Sequence, residues 1–149
     1  MDHQYLEDFH PGQVFESAPL TVSAAEIIAF ARQYDAQPMH TDPEAAQAIT
    51  GGLIASGWHT AALTMNRLTT AGFYNPAPGA LGLGCESLKW PRPVRPGDAL
   101  RLRLEVLNVR PSATRPAYGV VTNRFTTLNQ HNDIVQEMIS SVMIARRHA

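Results

Sequence analysis

Leu100-Arg101-Leu102-Arg103-Leu104-Glu105-Val106-Leu107 is the stretch on which the fold class turns. Leu100, Leu102, Leu104 and Val106 alternate with Arg101, Arg103, Glu105 and Leu107. A period of two sends one set of side chains to a core and the other to water, which marks a half-buried strand. Downstream, residues 118–128 and 134–144 are rich in Val, Thr, Ile and Phe and suit strands as well. Upstream, residues 81–90 are a fourth candidate and residues 14–22 a possible first strand.

Between the first strand and the others the period changes to that of a helix. Ser23-Ala24-Ala25-Glu26 has the spacing of a capping box, and Ile27, Ile28, Phe30 and Ala31 follow on one face. That predicts a helix to about Tyr34. Thr41-Asp42-Pro43-Glu44 repeats the start signal, with proline tolerated in the first turn, and predicts a short helix through about Ala48, ended by Gly51-Gly52. From about Ser56 a longer helix is expected, with Ala61, Ala62, Met65 and Leu68 as its core face and a stop near Gly72. Helices early and antiparallel strands late give an α+β architecture.

Composition bounds the partners. The 149 residues are 44% hydrophobic and 17% charged, close to globular averages. No internal repeat is visible, and the loop-like clusters at 71–79 and 91–98 are too short to link domains, so one domain over residues 1–149 is expected. Twelve basic and 13 acidic residues leave a formal charge of -1, too little positive field to attract nucleic acid or an anionic membrane. The first 13 residues carry acids and no apolar core, so no signal peptide is expected. Residues 54–68 are apolar but interrupted by Ser56, His59, Thr60, Thr64, Asn66 and Arg67, so no membrane span is expected. A cytoplasmic protein is the expectation. The single cysteine, Cys85, excludes an internal disulfide and reads as a packed strand residue.

Two segments can carry chemistry. Asp35-Ala36-Gln37-Pro38-Met39-His40-Thr41-Asp42 places a carboxylate and an imidazole five residues apart between two predicted helices, in a turn stiffened by Pro38. Such a pair can grip one water and move a proton near neutral pH. Spacing alone favours the plainer reading, with Asp35 a turn residue and His40 a surface residue or a neighbour of a helix cap. Gly51-Gly52-Leu53-Ile54-Ala55-Ser56-Gly57-Trp58-His59-Thr60 opens the long helix with small residues. The free amides there can stabilise a developing oxyanion, and Gly57 lets a substrate approach the backbone. The same residues also suit a plain glycine-rich loop with a Ser56 cap and no ligand.

Together these residues resemble the MaoC-like dehydratase family of hot-dog proteins, which includes (R)-specific enoyl-CoA hydratases. The family pattern Asp-x-Asn-Pro-aliphatic-His-x-Asp is matched at residues 35–42, its glycine-led helix start at Ser56-Gly57-Trp58-His59, and its Phe-x-x-Pro-Val-x-x-Gly-Asp segment is resembled by Leu88 to Asp98. Three matches in the right order span nearly the whole chain.

The resemblance implies a long central helix wrapped by a curved antiparallel sheet, and a homodimer or higher homo-oligomer with the site at a subunit interface. The substrate would be an acyl-CoA or acyl-carrier thioester. Asp35 and His40 would hold the catalytic water and move a proton between it and carbon 2 of the enoyl chain. The Gly57 amide would bind the thioester carbonyl, with Ser56, Trp58 and Met65 around the substrate. No cofactor is expected beyond coenzyme A as part of the substrate, and His and Cys spacing suggests no metal site.

Several positions depart from the pattern or stay open. Gln37 stands where Asn is commoner, and Met65, preceded by Thr64, stands where some hydratases have serine. Trp58 reads as core or interface packing, or as a residue shaping a pocket for a short, branched or polar acyl group. His59 is a second candidate proton carrier or a structural residue. Lys89, Arg92 and Arg95 can meet coenzyme A phosphates or simply be solvated. The expected activity is hydration or dehydration across the 2,3 bond. A hot-dog acyl-CoA thioesterase and a non-catalytic acyl-thioester-binding module are the alternatives.

Overall fold

The alternating leucines lie where their period places them. In the computed structural model, which describes residues 1–148, Leu100, Leu102, Leu104 and Val106 are each at most 1% exposed. They form the inner row of β4 (Ala99–Pro111). The other strands are β1 (Val14–Glu16), β2 (Leu20–Thr21), β3 (Leu81–Lys89), β5 (Tyr118–Leu128) and β6 (Ile134–Ala145). All pairings are antiparallel, in the order β1-β4-β5-β6-β3, and β2 also pairs with β4. The strands expected at 81–90, 118–128 and 134–144 are therefore present within a residue or so of their expected ends.

The first strand is split. Residues 14–22 form two short pieces on one edge of β4, with Ser17 and Pro19 between them. Pro19 has no N–H to give a ladder. Ser17 fills the gap: its N–H donates to Leu102 O at 2.9 Å, and its hydroxyl accepts the Leu102 N–H at 2.8 Å.

Four helices precede β3: α1 (Ala24–Tyr34), α2 (Pro38–Thr41), α3 (Pro43–Thr50) and α4 (Gly57–Thr70). Ser23 caps α1 by accepting the Glu26 N–H at 3.1 Å, the hydroxyl half of the expected box. Asp42 caps α3 through Glu44 N–H and Ala45 N–H, and Gly51 ends it in the left-handed region at φ 71°. α4 is the long helix and lies against the sheet, where Leu68 packs with Leu102, Leu104, Phe125 and Met138. A second cluster joins α1, α3 and the sheet through Ile27, Ala46, Leu53, Val94 and Leu100.

The buried face of α4 differs from the one its apolar residues suggest. His59, Thr60, Thr64 and Leu68 are buried, whereas Ala62 and Met65 are exposed, Met65 at 46%. Threonine is admitted because its hydroxyl returns to the helix: Thr64 Oγ1 donates to Thr60 O at 2.9 Å. Cys85 is also corrected, since it is an exposed residue of the edge strand β3 and not a packed one. The run Gly82-Leu83-Gly84 lies on the same edge strand. It sits at a bulge in the β3–β6 pairing, with Gly84 at φ 150° and open space where a Cβ would be.

Candidate active site

The chain between α1 and α4 folds back on itself. Asp35 ends α1, its N–H still donating to Ala31 O at 2.8 Å. Gln37 is extended, as the residue before a proline must be, and Pro38 starts α2. This turn carries His40, 7% exposed, beneath the strand-like residues that lead to α4. Ile54 closes the loop from both sides: its N–H donates to Met39 O at 3.1 Å, and its carbonyl accepts from His40 Nδ1 at 2.8 Å.

That second bond sets the tautomer, because a carbonyl can only accept. Nδ1 carries the proton, and Nε2 faces Asp35 Oδ2 at 3.5 Å. Asp35 is held from two other directions. Ser56 donates its hydroxyl to Oδ2 at 2.6 Å, and Gln37 Nε2 donates to Oδ1 at 2.6 Å. The Ser56 bond, and then the Gln37 bond, keep the Asp35 carboxyl below its usual pKa. Asp35 is thus an acceptor at neutral pH.

Ser56 does two jobs at once. Its oxygen also accepts the Trp58 N–H at 3.3 Å, so the cap of α4 and the anchor of Asp35 are one atom. It is fully buried, with its hydroxyl committed to Asp35 and to the cap of α4. Gly57, the first residue of α4, offers an N–H with no acceptor inside the helix, at the positive end of the helix dipole. A cavity of about 390 Å³ brings His40 and Gly57 together with Thr60, Trp90, Arg92 and Val94.

Trp90 is the residue that sequence reasoning missed. A methyl group at Gly57 would come within 2.6 Å of its ring, so packing against the indole by itself requires the glycine. Trp90 Nε1 donates to Gln136 Oε1 at 2.9 Å, and Gln136 Nε2 to Thr64 Oγ1 at 3.0 Å. With Thr64 donating to Thr60, the 2.6 Å contact to Thr127 is a bond from the Thr127 hydroxyl. The chain Trp90–Gln136–Thr64–Thr127 is fully matched. A glutamine and a threonine inside β-period runs were its signal in the sequence.

Of the remaining expected residues, Arg92 lines this cavity and the others lie outside it. Trp58 is 59% exposed and meets Trp90 edge-on at 5.3 Å, so it is not core. Met65 faces a separate cavity farther along α4. His59 is buried and stacked on Phe30, with centroids 4.6 Å apart, and burial lowers its pKa, as befits a structural residue. Arg95 donates to Thr50 O at 2.8 Å at the end of α3, while Arg92 is exposed beside Asp133. Among the described residues, no three His, Cys, Asp or Glu side chains gather as metal ligands would, and no helix is long and apolar enough to cross a membrane.

A family model described as the MaoC like domain matches residues 8–129. The chain belongs to the MaoC-like family. The crystal structure of the MaoC-like dehydratase from Rhodospirillum rubrum is 46% identical to this MaoC-like chain, with a TM-score of 0.90, and the match covers 98% of this chain and 99% of that one. The uncharacterized protein YdeM of Bacillus subtilis is 37% identical over 142 residues, 95% of this chain and 99% of its own length. The R-hydratase PhaJ1 from Pseudomonas aeruginosa, unliganded, is 26% identical with a TM-score of 0.75, over 96% of this chain and 86% of its own. The α+β fold of this MaoC-like protein is the hot dog, a helix packed on a six-stranded antiparallel sheet.

Proposed function

We propose that this chain adds water across, or removes it from, the 2,3 position of an acyl thioester, with (R) stereochemistry. The observation that carries the reading is the facing of two acceptors, Asp35 Oδ2 and His40 Nε2, 3.5 Å apart, with His40 lining one cavity together with Gly57, the first residue of α4. With Nδ1–H given to Ile54, neither acceptor holds a proton for the other. A water between them donates one hydrogen to each. Its oxygen is then activated to bond carbon 3 of a conjugated thioester. As that bond forms, one proton leaves the water for the Asp35–His40 pair, and a proton passes from the pair to carbon 2. The electron pair of the double bond moves toward the thioester oxygen, where the Gly57 N–H and the α4 dipole stabilise it. Elimination runs the same steps backwards. The chemistry asks for no metal or bound cofactor, with coenzyme A or an acyl carrier protein arriving as part of the substrate.

A second copy of the chain is the expected partner in assembly. β3 is an edge strand, with Leu81 58% and Leu83 54% exposed, and its outer backbone groups can extend a ladder into a neighbouring sheet.

The test follows the conjugated-thioester absorbance of crotonyl-CoA together with free thiol. Loss of absorbance without thiol release, abolished in His40→Ala, is the expected result. Thiol release would make the protein a thioesterase. Binding of saturated and unsaturated thioesters without conversion, over a range of chain lengths, would make it a binding module.

A further inference from the structure

Alternation along β5 turns Val121, Asn123 and Phe125 toward the interior, 0%, 2% and 5% exposed. Thr127 follows on the same face, but its hydroxyl is matched by Thr64, which leaves Asn123 between two apolar residues. Asn123 pairs across the ladder with Ser140 of β6, which is itself flanked on its face by Met138 and Val142. Two polar side chains therefore sit side by side where the strand period calls for apolar ones.

They form the floor of the second cavity, about 430 Å³, whose walls include Met65, Leu68 and Met138 and whose rim carries Tyr74. Ser140 donates its hydroxyl to Gly84 O at 2.9 Å. Asn123 Oδ1 is sealed from solvent and has no partner. Nearly all buried amide oxygens in folded proteins are matched, and leaving one unmatched is destabilising. Folding alone gives no reason for it, and position 123 would be filled better by leucine.

The cavity shares α4 with the candidate active site. Thr60 and Trp90 line the first cavity, and the Thr64–Gln136 pair comes next. Leu68 and Met138 line the second, one helical turn and two strand residues farther on. From Gly57 to Met65 the helix rises about 12 Å, within reach of a medium-length acyl tail bound by its carbonyl at the Gly57 amide. Met65, half-exposed, lines the second cavity at that distance.

We propose that the second cavity receives the distal part of the acyl chain, and that Asn123 selects chains carrying an uncharged hydroxyl group there. The proposal rests on the acyl-thioester reading above. The chemistry favours a hydroxyl on two grounds. No charged side chain lines the cavity, so a distal carboxylate would be buried without a counter-charge. The amide both accepts and donates, and a hydroxyl complements both functions. Burial pushes the Tyr74 pKa up to about 12, so the rim also stays neutral.

The test is equilibrium binding of saturated ω-hydroxyacyl-CoA esters against unsubstituted acyl-CoA esters of matching length, to the wild type and to Asn123→Leu. We expect one chain length at which the wild type prefers the hydroxylated ester by about tenfold, the effect of one hydrogen bond to an otherwise unmatched group. Asn123→Leu loses that preference, binds the unsubstituted ester more tightly and melts at a higher temperature. Asn123→Thr, which keeps a polar group, retains part of the preference. Equal affinity for both series at every length in the wild type, or a preference that survives Asn123→Leu, overturns the inference while leaving the thioester reading intact. Failure of both series to bind overturns that reading and this inference with it.

Discussion

At the N-terminal end of α4, Ser56, Thr64, Thr127 and Gln136 are buried and bonded to one another, to Asp35 or to Trp90. At the C-terminal end, Asn123 is equally buried and its oxygen meets nothing. Ser56, Thr64, Thr127 and Gln136 form a matched frame that holds Asp35, Trp90 and the start of α4 in one arrangement, although His59 Nδ1 nearby is buried without a partner. A fully satisfied buried network rigidifies, and a partly satisfied one is unfavourable unless something else completes it. The contrast separates polar residues that fix the site from one that waits for a ligand.

The sharpest break in the frame is at its carboxylate. Asp35→Asn should keep the Ser56 hydrogen bond and lower kcat/KM for a hydrated enoyl thioester by about 10²–10⁴, the span of a lost acid–base group. Steady-state kinetics with a matched circular dichroism spectrum checks this. Next in size, Gly57→Ala drives a methyl group into the Trp90 ring and should cost about 1–3 kcal/mol of stability in chemical denaturation. Adding Trp90→Ala should make the pair less than additive, and simple additivity would deny the contact.

Thr64→Val tests the matched network itself. It leaves Gln136 Nε2 and Thr127 without their shared acceptor and should cost about 1–3 kcal/mol, in contrast to the stabilisation expected at Asn123. Ser56→Ala removes the largest influence holding the Asp35 pKa down, so that pKa rises. The acid limb of the pH–rate profile then moves to higher pH, and an unmoved limb would assign it to another group.

The smallest effect concerns His59. Burial lowers its folded pKa below the usual 6.5, so the unfolded chain takes up a proton that the folded one refuses. Its share of stability is present above about pH 6.5 and falls away as the pH drops below that value. Melting temperatures of the wild type and His59→Phe across this range should converge at neutral pH and separate on acidification.

Much of this was legible from the chain. The strands followed from period two, and α1, α3 and α4 from their capping residues, because both signals are local. Asp35, His40 and Gly57 were legible as a set once three segments matched one family pattern in order. The buried stripe of α4 was not, because a threonine that returns its hydroxyl to the helix looks the same in sequence as one facing water. Trp58 and Trp90 were interchangeable on composition, and only the packing against Gly57 tells them apart. Asn123 was visible as an asparagine in a strand, but that its oxygen lacks a partner depends on residues far away in the chain.

The site loop closes over short stretches of chain. Ser56 reaches back 21 residues to Asp35, and Ile54 reaches 14 to His40. The pairing of β1 with β4, by contrast, joins Val14 to Glu105. Loops of the first kind cost little entropy to close and tend to form early, while the sheet must wait for distant partners. The reactive turn is therefore a cassette that carries its own geometry, docked onto the sheet through Val94 and Trp90 rather than shaped by it. If the proposed reaction holds, change in the strands can alter what the protein accepts without disturbing how it handles water.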